Sequence, residues 1–600
     1  MSVPSDQTIP FYLRQRADQN PHHVVFFQRS SRGWLPLTAR QAQERVDALA
    51  VHLFRLGVTP GTRVAVMSRT RLEWTIADLA IWTLGAVSVP VYETSSVAQT
   101  QWILSDSEAT VAIAENQDMA DIIQAAKLEA GGHAVTSILV IDNGDLTCPA
   151  PTDEERAALR AIPHDLDDLA TIIYTSGTTG RPKGAVLTHG NFVLLIENGL
   201  EDLSEVISGE SARTLLFLPM AHVFARFLSV LCVMTGVPLG HTGDVKAAIA
   251  DVASFQPTFL MSVPRVWEKV YTGAEQKQGG GWRRRVFIWA VKTAIVYSRS
   301  LDTGGPSAAL RAQHRLADRI VLSKIRAALG GHLKYAIAGG APLGNRLTHF
   351  YRGLGLTMLE GYGLTETTAP LTVNRPDSIA PGTVGTPLPG TTIRIADDGE
   401  ILARGIGVFQ GYHNNEEATA EAFVDGWFKT GDVGSLDDAG RLSITGRKKE
   451  IIVTAGGKNV APSQLEDALR VHPLISQCMV VGDNRPFCGV LITLDQQMLP
   501  IWLRNKGQEP LSVAEAINSP LVRQRIQMAI DRANRGVSRA ESIRTFRILE
   551  DDFTLENGAL TPSLKVKRHV VEERHADDIE QMYADAARDY AAHRHQKDPT

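Results

Sequence analysis

Several features that would narrow the function are scarce in this chain. It has four cysteines, Cys148, Cys232, Cys478 and Cys488, and no Cys-x2-Cys pair. Their spacing fits no metal motif, and so few cysteines predict a reducing, cytoplasmic compartment. Residues 1–20 have no apolar core, and no apolar run is long enough for an uninterrupted membrane span. The sequence therefore predicts neither a secretory signal nor a transmembrane helix.

The chain also has no excess of positive charge. Lys and Arg number 61 against 66 for Asp and Glu, which gives a net charge of -5. Without a broad basic field, nucleic acid is not an expected partner. Hydrophobic residues make up 44% and charged residues 21% of the 600 positions, as in ordinary globular proteins. This length predicts at least two domains; the oligomeric state cannot be read from the sequence.

The pattern of apolar runs predicts an α/β fold. Strand-like segments at 63–68 and 86–91 flank a helix-like segment at 74–82, which is typical of a β-α-β unit in a parallel sheet. Short strands with Gly/Pro turns at 382–411 predict a small antiparallel or barrel-like element. We therefore expect a large N-terminal domain (1–446) of α/β sheets with a β-barrel-like subdomain. A smaller, mobile α+β C-terminal domain (447–600) would follow.

The segment 174–184, Tyr-Thr-Ser-Gly-Thr-Thr-Gly-Arg-Pro-Lys-Gly, is rich in glycines and hydroxyls. Glycines let backbone N–H groups approach an anion closely. Hydroxyls and a lysine add donors suited to phosphate. The pattern lacks the Gly-Lys-[Ser/Thr] order of a Walker A loop, and a plain surface turn is the alternative. The candidate phosphate ligands are Thr175, Ser176, Gly177, Thr178, Thr179, Gly180 and Lys183.

Two further segments fit a nucleotide. In 360–367, the ring of Tyr362 could lie on a purine, Thr365 could donate to a phosphate oxygen, and Glu366 offers a hard oxygen ligand to Mg²⁺. A glycine-rich turn before a helix is the other interpretation. In 425–432, Asp432 follows a Thr-Gly turn and could accept hydrogen bonds from ribose hydroxyls, as acidic residues do in dinucleotide-binding folds. Alternatively, Asp432 only caps a turn.

Two basic segments lie later in the chain. Residues 446–458 run from Gly-Arg-Lys-Lys through a strand to Gly456 and Gly457, which fits a hinge followed by a mobile loop or simply a solvated basic turn. Lys565 lies in a second Lys/Arg cluster, which by itself indicates a solvated face.

Together and in this order, the five segments resemble the adenylate-forming superfamily of acyl-CoA synthetases, luciferases and peptide-synthetase adenylation domains. The similarity spans about 11–568. Segments 425–434 and 446–462, with 218–226, look most like the long-chain fatty acyl-CoA synthetase branch. The resemblance implies that a fatty acid attacks the α-phosphorus of ATP, and that CoA then attacks the acyl-adenylate. ATP, Mg²⁺ and CoA are the expected cofactor and co-substrates.

The resemblance also implies roles for individual residues. The 175–183 loop would grip the β- and γ-phosphates, Thr365 the α-phosphate, and Glu366 the Mg²⁺. Lys565 would be the adenylation lysine, His222 would line the junction of carboxylate and acyl pocket, and Lys449 would be the hinge. His222 as an ordinary core histidine is the alternative. The residues expected around adenine, ribose and pantetheine are Gly339, Gly340, Ala341, Tyr362, Gly363, Asp432, Arg447, Gly456 and Gly457.

Several questions stay open at this point. Residues 217–237 and 255–267 are candidate walls of an acyl tunnel, but such stretches are usually core. Segment 282–297, cationic at one end and apolar at the other, could contact an anionic membrane or dock on its own protein. The enzyme could instead pass acyl-AMP to a carrier protein, or use medium-chain or aromatic acids. A non-catalytic nucleotide-binding regulatory module is the alternative from a different class.

Overall fold

The computed structural model describes residues 3–129, 135–175, 181–209, 211–244, 247–278, 281–561 and 565–595. The strands are β1 Val24–Ser30, β2 Gly33–Thr38, β3 Arg63–Met67, β4 Val87–Val91, β5 Val111–Ala114, β6 Ser137–Val140, β7 Leu169–Thr175, β8 Lys183–Thr188, β9 Thr214–Leu216, β10 Leu239–His241, β11 Phe259–Ser262, β12 Tyr335–Ala338, β13 Thr357–Leu364, β14 Ala369–Val373, β15 Thr386–Pro387, β16 Thr391–Ile395, β17 Glu400–Gly405, β18 Gly411–Tyr412, β19 Phe423–Val424, β20 Trp427–Leu436, β21 Leu442–Arg447, β22 Ile452–Val453, β23 Asn459–Val460, β24 Ile475–Val481, β25 Cys488–Leu494 and β26 Ile543–Leu549.

The α-helices are α1 Ile9–Gln19, α2 Ala39–Arg55, α3 Leu72–Thr83, α4 Val97–Ser107, α5 Gln117–Glu129, α6 Asp153–Arg160, α7 His189–Ile207, α8 Val223–Thr235, α9 Ala248–Phe255, α10 Pro264–Gln276, α11 Gly281–Leu301, α12 Ala308–Ala317, α13 Ser323–Ala328, α14 Asn345–Leu354, α15 Glu416–Ala422, α16 Pro462–Arg470, α17 Met498–Arg504, α18 Val513–Asn518, α19 Pro520–Ala533, α20 Arg568–Arg574 and α21 Ala576–His595.

Two mixed sheets form the larger part of the molecule; each has the parallel strands that the sequence predicts and antiparallel pairs at one edge. A seven-stranded sheet has the order β18-β8-β7-β4-β3-β5-β6, and a five-stranded sheet has the order β11-β12-β13-β14-β15. β3 pairs in parallel with both β4 and β5, and α3 connects β3 to β4. The predicted β-α-β unit is therefore confirmed. All five residues of β4 are buried, as expected for a strand covered on both faces.

The segment with many Gly/Pro turns forms an antiparallel sheet. Its strand order is β16-β17-β20-β19, and β21 pairs with β20. In the β20–β21 ladder, Asp432 lies opposite Arg447. The last strand of this sheet thus ends at the residue that precedes the basic turn 448–450.

The C-terminal part has a hydrophobic core of its own. The sheet β24-β25-β26 packs with α16 and α19 through buried residues that include Leu465, Val490 and Ile526. β22 and β23 form a separate two-stranded hairpin. The strand expected within 446–458 is only two residues long in the structure, Ile452–Val453. No helix among the described residues combines the length and apolar character needed to cross a bilayer.

Candidate active site

The candidate phosphate loop connects two antiparallel strands, β7 and β8. Thr175 pairs with Lys183 at the ends of these strands, and the Thr175 hydroxyl donates to the Lys183 carbonyl at 3.4 Å. Trp102 Nε1 donates to the Pro182 carbonyl at 2.8 Å, and its ring faces Arg181. The base of the loop is thus fixed at the carboxyl end of β7. The predicted ligands at 176–180, Ser176, Gly177, Thr178, Thr179 and Gly180, lie outside the described residues.

Asp432 is the centre of a second group. The Tyr362 hydroxyl donates to Asp432 Oδ2 at 2.7 Å, and Arg447 Nε lies 3.0 Å from Asp432 Oδ1. Only 5% of Asp432 is exposed, so the carboxylate is compensated by the guanidinium and the phenol. Three residues predicted to hold adenine and ribose are therefore in direct contact.

Glu366 and Lys183 form a third group, and Tyr412 joins them. The Tyr412 hydroxyl donates to Glu366 Oε1 at 2.9 Å. Lys183 Nζ lies 5.2 Å from the centroid of the Tyr412 ring. Burial and the nearby Glu366 carboxylate raise the pKa of Tyr412, so the phenol remains a donor. Thr365 stands beside Glu366 in the short 3₁₀ turn that follows β13.

An apolar cavity opens next to these groups. Its space, including the open mouth, is about 760 Å³. The candidate nucleotide residues Gly339, Gly340, Tyr362 and Gly363 line it. A Cβ atom at Gly339 would lie 3.3 Å from the Phe224 ring, so a side chain there would narrow the space. Ala341 is exposed beyond Gly340.

Much of the remaining cavity wall comes from the two ranges that the sequence analysis named as candidate walls of an acyl tunnel, with ordinary core as the alternative. Both candidate ranges contribute, 217–237 from α8 and 255–267 from β11, together with the last turns of α7. Many other residues of these ranges are core, such as Phe217 and Trp267. The apolar wall residues are Leu203, Val206, Ile207, Val223, Phe224, Phe227, Leu231, Phe259, Met261, Ile337 and Leu388.

His222 lines the same cavity and caps α8. Its Nδ1 accepts a hydrogen bond from the Phe224 N–H at 3.2 Å, so the proton of the neutral ring is on Nε2. Desolvation lowers the pKa of His222 to about 4, and the positive charge of Lys565 contributes. His222 is therefore a neutral donor at the polar end of the cavity.

Lys565 reaches this region from the C-terminal part of the chain. Its side chain keeps exposed surface, yet desolvation by the surrounding protein lowers its pKa. The Arg447 guanidinium lowers it further, whereas Asp432, Glu450 and Glu366 oppose the shift. These charges act on Lys565 because it stands among them. The structure thus brings together residues from positions 175 to 565.

The predicted hinge lies in the 3₁₀ turn at 448–450, where Lys449 is exposed. Its neighbour Lys448 donates to Asp398 Oδ2 at 2.6 Å and to Glu400 Oε2 at 2.7 Å. Glu400 Oε1 in turn accepts from the Gly431 N–H at 3.0 Å. The chain is therefore tied to the antiparallel sheet up to Lys448.

The Gly456-Gly457 turn is not part of this cluster. Both glycines are exposed at the tip of the β22–β23 hairpin, and Gly457 has φ of 74°. The neighbouring Ala455 N–H donates to the Arg485 carbonyl, and Lys458 pairs with Glu541 at 3.2 Å. The contacts that fix the hairpin are thus made within the C-terminal part.

The donor set fits a magnesium ion that is carried by a nucleotide. The described residues contain no group of three or more His, Cys, Asp or Glu side chains suited to hold a metal. Magnesium bound with nucleotide phosphates takes only one or two protein carboxylates. Glu366 would supply one such carboxylate; it and Lys183 both lie against Tyr412.

Sequence reasoning missed Tyr412, Lys448 and Glu400. Tyr412 lies in a two-residue strand that no periodicity reveals, and its contacts are with residues 46 and 229 positions away. Lys448 lies in the segment 446–458, which the sequence assigned either to a hinge or to a solvated basic turn, and nothing in the sequence indicated that Glu400 pairs with it. A Gly-Tyr pair before a helix N-terminus carries no chemical signal that distinguishes it from a turn.

The comparisons with known proteins agree with this geometry. The profile of the AMP-binding enzyme family matches residues 13–413, and that of its C-terminal domain matches 449–587. The chain belongs to the AMP-binding enzyme family. One similar protein is the long-chain-fatty-acid–CoA ligase FadD15 of Mycobacterium bovis, which is 48% identical to this chain over 577 residues. The alignment covers 94% of this chain and 95% of FadD15. The Mycobacterium tuberculosis FadD15 has the same identity and coverage.

Solved structures of other proteins share the fold. The o-succinylbenzoate CoA synthetase MenE of Bacillus subtilis in complex with ATP and a magnesium ion has a TM-score of 0.67 at 20% identity, and covers 93% of this chain and 98% of its own. The same enzyme with its acyl-adenylate intermediate has a TM-score of 0.68 at 20% identity, with 95% and 98% covered. The fold is thus a mixed α/β architecture with a large N-terminal domain and a separate C-terminal domain.

Proposed function

We propose that this chain is a long-chain fatty acid–CoA ligase that forms an acyl-adenylate from fatty acid and ATP and then transfers the acyl group to CoA. The observation that carries the proposal is the convergence of Lys565 with Glu366, Asp432 and Arg447 beside an apolar cavity. The 48% identity to FadD15 over nearly the whole of both chains gives the substrate class. The acid would be long-chain, since that is the class the relative's name gives.

In the first half-reaction a carboxylate must approach the α-phosphorus of a polyanion, so neutralising charge is the main task of the site. Lys183 and the loop at 175–180 would hold the terminal phosphates, and Thr365 the α-phosphate. Glu366 would hold Mg²⁺, whose charge offsets that of the phosphates. Lys565 would bridge carboxylate and α-phosphate, because a flexible ammonium can form such a transient contact.

The nucleoside and the fatty acid would lie on either side of the α-phosphate. Asp432 would accept hydrogen bonds from the ribose hydroxyls, with Arg447 and Tyr362 fixing its orientation. Gly339, Gly340, Ala341 and Gly363, with Tyr362, would frame the adenine. His222 Nε2–H would donate to the carboxylate at the head of the cavity. The alkyl chain would occupy the apolar cavity, where each buried methylene contributes about 0.8 kcal/mol.

The second half-reaction would need a different arrangement of the two domains. The two domains, 1–446 and 447–600, would move relative to one another about Lys449, with Arg447 and Lys448 staying on the N-terminal sheet. Lys448 remains anchored to Asp398 and Glu400, which supports a pivot immediately after it. Rotation would withdraw Lys565 and bring Gly456 and Gly457 to the CoA pantetheine. Hinges of this kind need only a few residues to change φ and ψ.

Hydrogen bonds across the domain interface are compatible with such a rotation. Arg265 Nη2 donates to the Ser476 carbonyl at 3.3 Å, and Asn505 Nδ2 donates to Gln276 Oε1 at 3.0 Å. Both are partly or fully exposed, so water can replace them at small net cost.

The test separates the half-reactions with two variants. Lys565→Ala should abolish palmitate-dependent ATP–pyrophosphate exchange but retain thioester formation from supplied palmitoyl-AMP and CoA. Gly457→Val should do the reverse, because a β-branched residue is strained at φ of 74°. Lys506→Ala, a C-terminal-domain lysine beside Trp502, is the control and should affect neither. Equal losses in both assays for each variant would contradict the two-pose mechanism.

The same assay separates the alternatives. No exchange with any acid would favour the regulatory module. Exchange without CoA-dependent product, but with transfer to a carrier protein, would favour an acyl-AMP ligase. A maximum below ten carbons in a C8–C20 series would contradict the long-chain assignment. The exposed Gly456-Gly457 turn and the apolar cavity support the CoA ligase with a long-chain acid.

We also propose that α11 contacts an anionic membrane from the cytoplasmic side. The face of α11 with Phe287, Ala290 and Ala294 is buried, so the helix docks on its own protein. A second stripe of residues, three or four positions apart along α11, combines aromatic, apolar and cationic side chains. These side chains are exposed, apart from the half-buried Trp289. The stripe residues are Trp282, Arg285, Trp289, Lys292, Val296 and Arg299. The four unpaired cysteines support a reducing compartment.

Vesicle flotation tests this contact. Binding to phosphatidylglycerol vesicles should be strong at low salt, weak at high salt and absent with phosphatidylcholine, since each cation near the surface contributes about 1 kcal/mol. Changing Arg285, Lys292 and Arg299 to Glu should abolish it. The same change at the exposed Arg504, Arg532 and Arg535 is the matched control. Salt-insensitive flotation, or none, would leave α11 as an ordinary surface helix.

A further inference from the structure

We propose that Tyr412 is a positioning residue that couples the metal ligand to the phosphate loop. The inference rests on the proposed function, because it concerns how the same site holds magnesium and ATP. Its hydroxyl donates to Glu366 Oε1 at 2.9 Å, and its ring faces Lys183 Nζ at 5.2 Å. One side chain thus touches both residues that would neutralise the phosphates.

The backbone of Tyr412 is fixed to the phosphate-loop strand. β18 pairs with β8, so that Tyr412 lies opposite Ala185. The His413 N–H donates to the Gly184 carbonyl at 2.7 Å, and the Tyr412 N–H donates to Thr419 Oγ1 at 2.9 Å. The backbone that carries the Tyr412 ring is therefore fixed relative to β8.

The same segment is bonded to the turn that carries Glu366. The Phe409 N–H donates to the Glu366 carbonyl at 2.9 Å, and the Thr368 hydroxyl donates to the Gly407 carbonyl at 2.7 Å. The ring of Phe409 packs edge-on against that of Tyr412 at 4.9 Å. Residues 407–413 therefore form a strut between β8 and the 3₁₀ turn at 365–367.

This geometry has a specific chemical consequence for Glu366. The phenol occupies one lone pair of Oε1 and so orients the carboxylate. Partners that orient a metal ligand in this way typically change metal affinity 10- to 100-fold when removed. The ring acts separately, because a cation over an aromatic face is held by the quadrupole. The Tyr412 ring thus keeps the Lys183 ammonium near Glu366.

Three variants of the full-length protein separate these effects. Tyr412→Phe keeps the ring and loses only the hydrogen bond to Glu366. Tyr412→Leu loses both contacts. Tyr335→Phe is the matched control, since it removes a tyrosine–glutamate hydrogen bond of 2.6 Å to Glu205 on the surface. The measurements are ATP binding by titration calorimetry with and without Mg²⁺, the Mg²⁺ dependence of palmitate-dependent exchange, and the melting temperature.

We expect Tyr412→Phe to raise the Mg²⁺ concentration for half-maximal exchange about 10- to 100-fold, with ATP binding in the absence of Mg²⁺ unchanged. Tyr412→Leu should also weaken that magnesium-free binding. Unchanged Mg²⁺ dependence in Tyr412→Phe, or the same change in Tyr335→Phe, would overturn the inference, even if Tyr412→Leu fails to fold. If the wild type shows no exchange, the proposed function fails, and the calorimetric comparison still decides the role of Tyr412.

Discussion

The buried pair of Arg226 and Asp78 offers a quantitative test of the structure. Arg226 lies on α8, one turn beyond His222, and its Nη2 is 3.1 Å from Asp78 Oδ1. Side-chain exposure is 1% for Arg226 and 3% for Asp78. Asp78 also accepts from the Ser88 hydroxyl at 2.6 Å. Two other guanidinium nitrogens, Nε and Nη1, have no hydrogen-bond partner among the described residues.

Removing one charge of such a pair leaves the other buried and uncompensated. This costs about 3–5 kcal/mol, whereas replacing both charges with neutral groups is often close to neutral. An N-terminal domain of roughly 440 residues unfolds with an entropy of about 0.9 kcal/mol per kelvin, so the loss corresponds to about 3–5 °C in melting temperature. Asp78→Asn should show this loss, and Asp78→Asn combined with Arg226→Met should recover most of it.

Differential scanning calorimetry on the three proteins measures the effect. The control is Arg441→Ala, which breaks an ion pair with Asp437 at 2.8 Å in which both side chains are about one-third exposed. Exposed pairs contribute at most about 1 kcal/mol, so its melting temperature should change by no more than about 1 °C. A shift below 1 °C for Asp78→Asn, or no recovery in the double variant, would refute the reasoning about burial.

Three further results are expected. Burial lowers the pKa of His189 to about 3 and that of His241 to about 4, so the unfolded state binds more protons below pH 6.5. The free energy of unfolding, followed through the urea midpoint, should therefore fall as the pH drops from 6.5 toward 4, by roughly 1.4 kcal/mol per pH unit for each imidazole. His189→Leu should reduce this slope. A flat pH profile in the wild type would contradict the prediction. Gly353→Ala should lower the melting temperature, because its Cβ would lie 2.1 Å from the Ala294 carbonyl oxygen on α11, whereas Gly199→Ala, with only one contact at 3.8 Å, should not. Leu231→Trp would fill the cavity about two turns beyond the start of α8, so turnover of C16 acids should fall more than turnover of C8 acids in a chain-length series.

Local sequence patterns predicted part of the fold. The β-α-β unit at 63–91 is present within a few residues, because its strands and helix are runs of apolar residues with clear ends. Glycines and hydroxyls at the ends of strands marked where a ligand could bind. These signals depend only on neighbouring residues.

Contacts between distant residues were not predictable in this way. Periodicity does not encode strand order. The sequence therefore did not predict that β18 pairs with β8, which is the pairing that places Tyr412 beside Lys183. The pairing of Asp432 with Arg447 needed the register of β20 and β21. The family resemblance, not the pattern, suggested that Lys565 belongs to the same site, because residues 133 positions apart meet only through the folding of a second domain.

The proposed hinge lies directly after the residues that anchor the candidate ribose-binding strand. Thr175 ends β7, and Gly339 and the turn with Glu366 directly follow β12 and β13; ligands bind at the carboxyl ends of strands in α/β sheets. Arg447, in contrast, ends an antiparallel strand and holds Asp432. Lys448, the next residue, holds Glu400, which binds the backbone of Gly431 beside Asp432. The proposed pivot would therefore start where the anchoring of the candidate ribose strand ends. A domain rotating after Lys448 would withdraw Lys565 without disturbing the groups that would hold the nucleotide, and this is what the two proposed reactions on one bound adenylate would require.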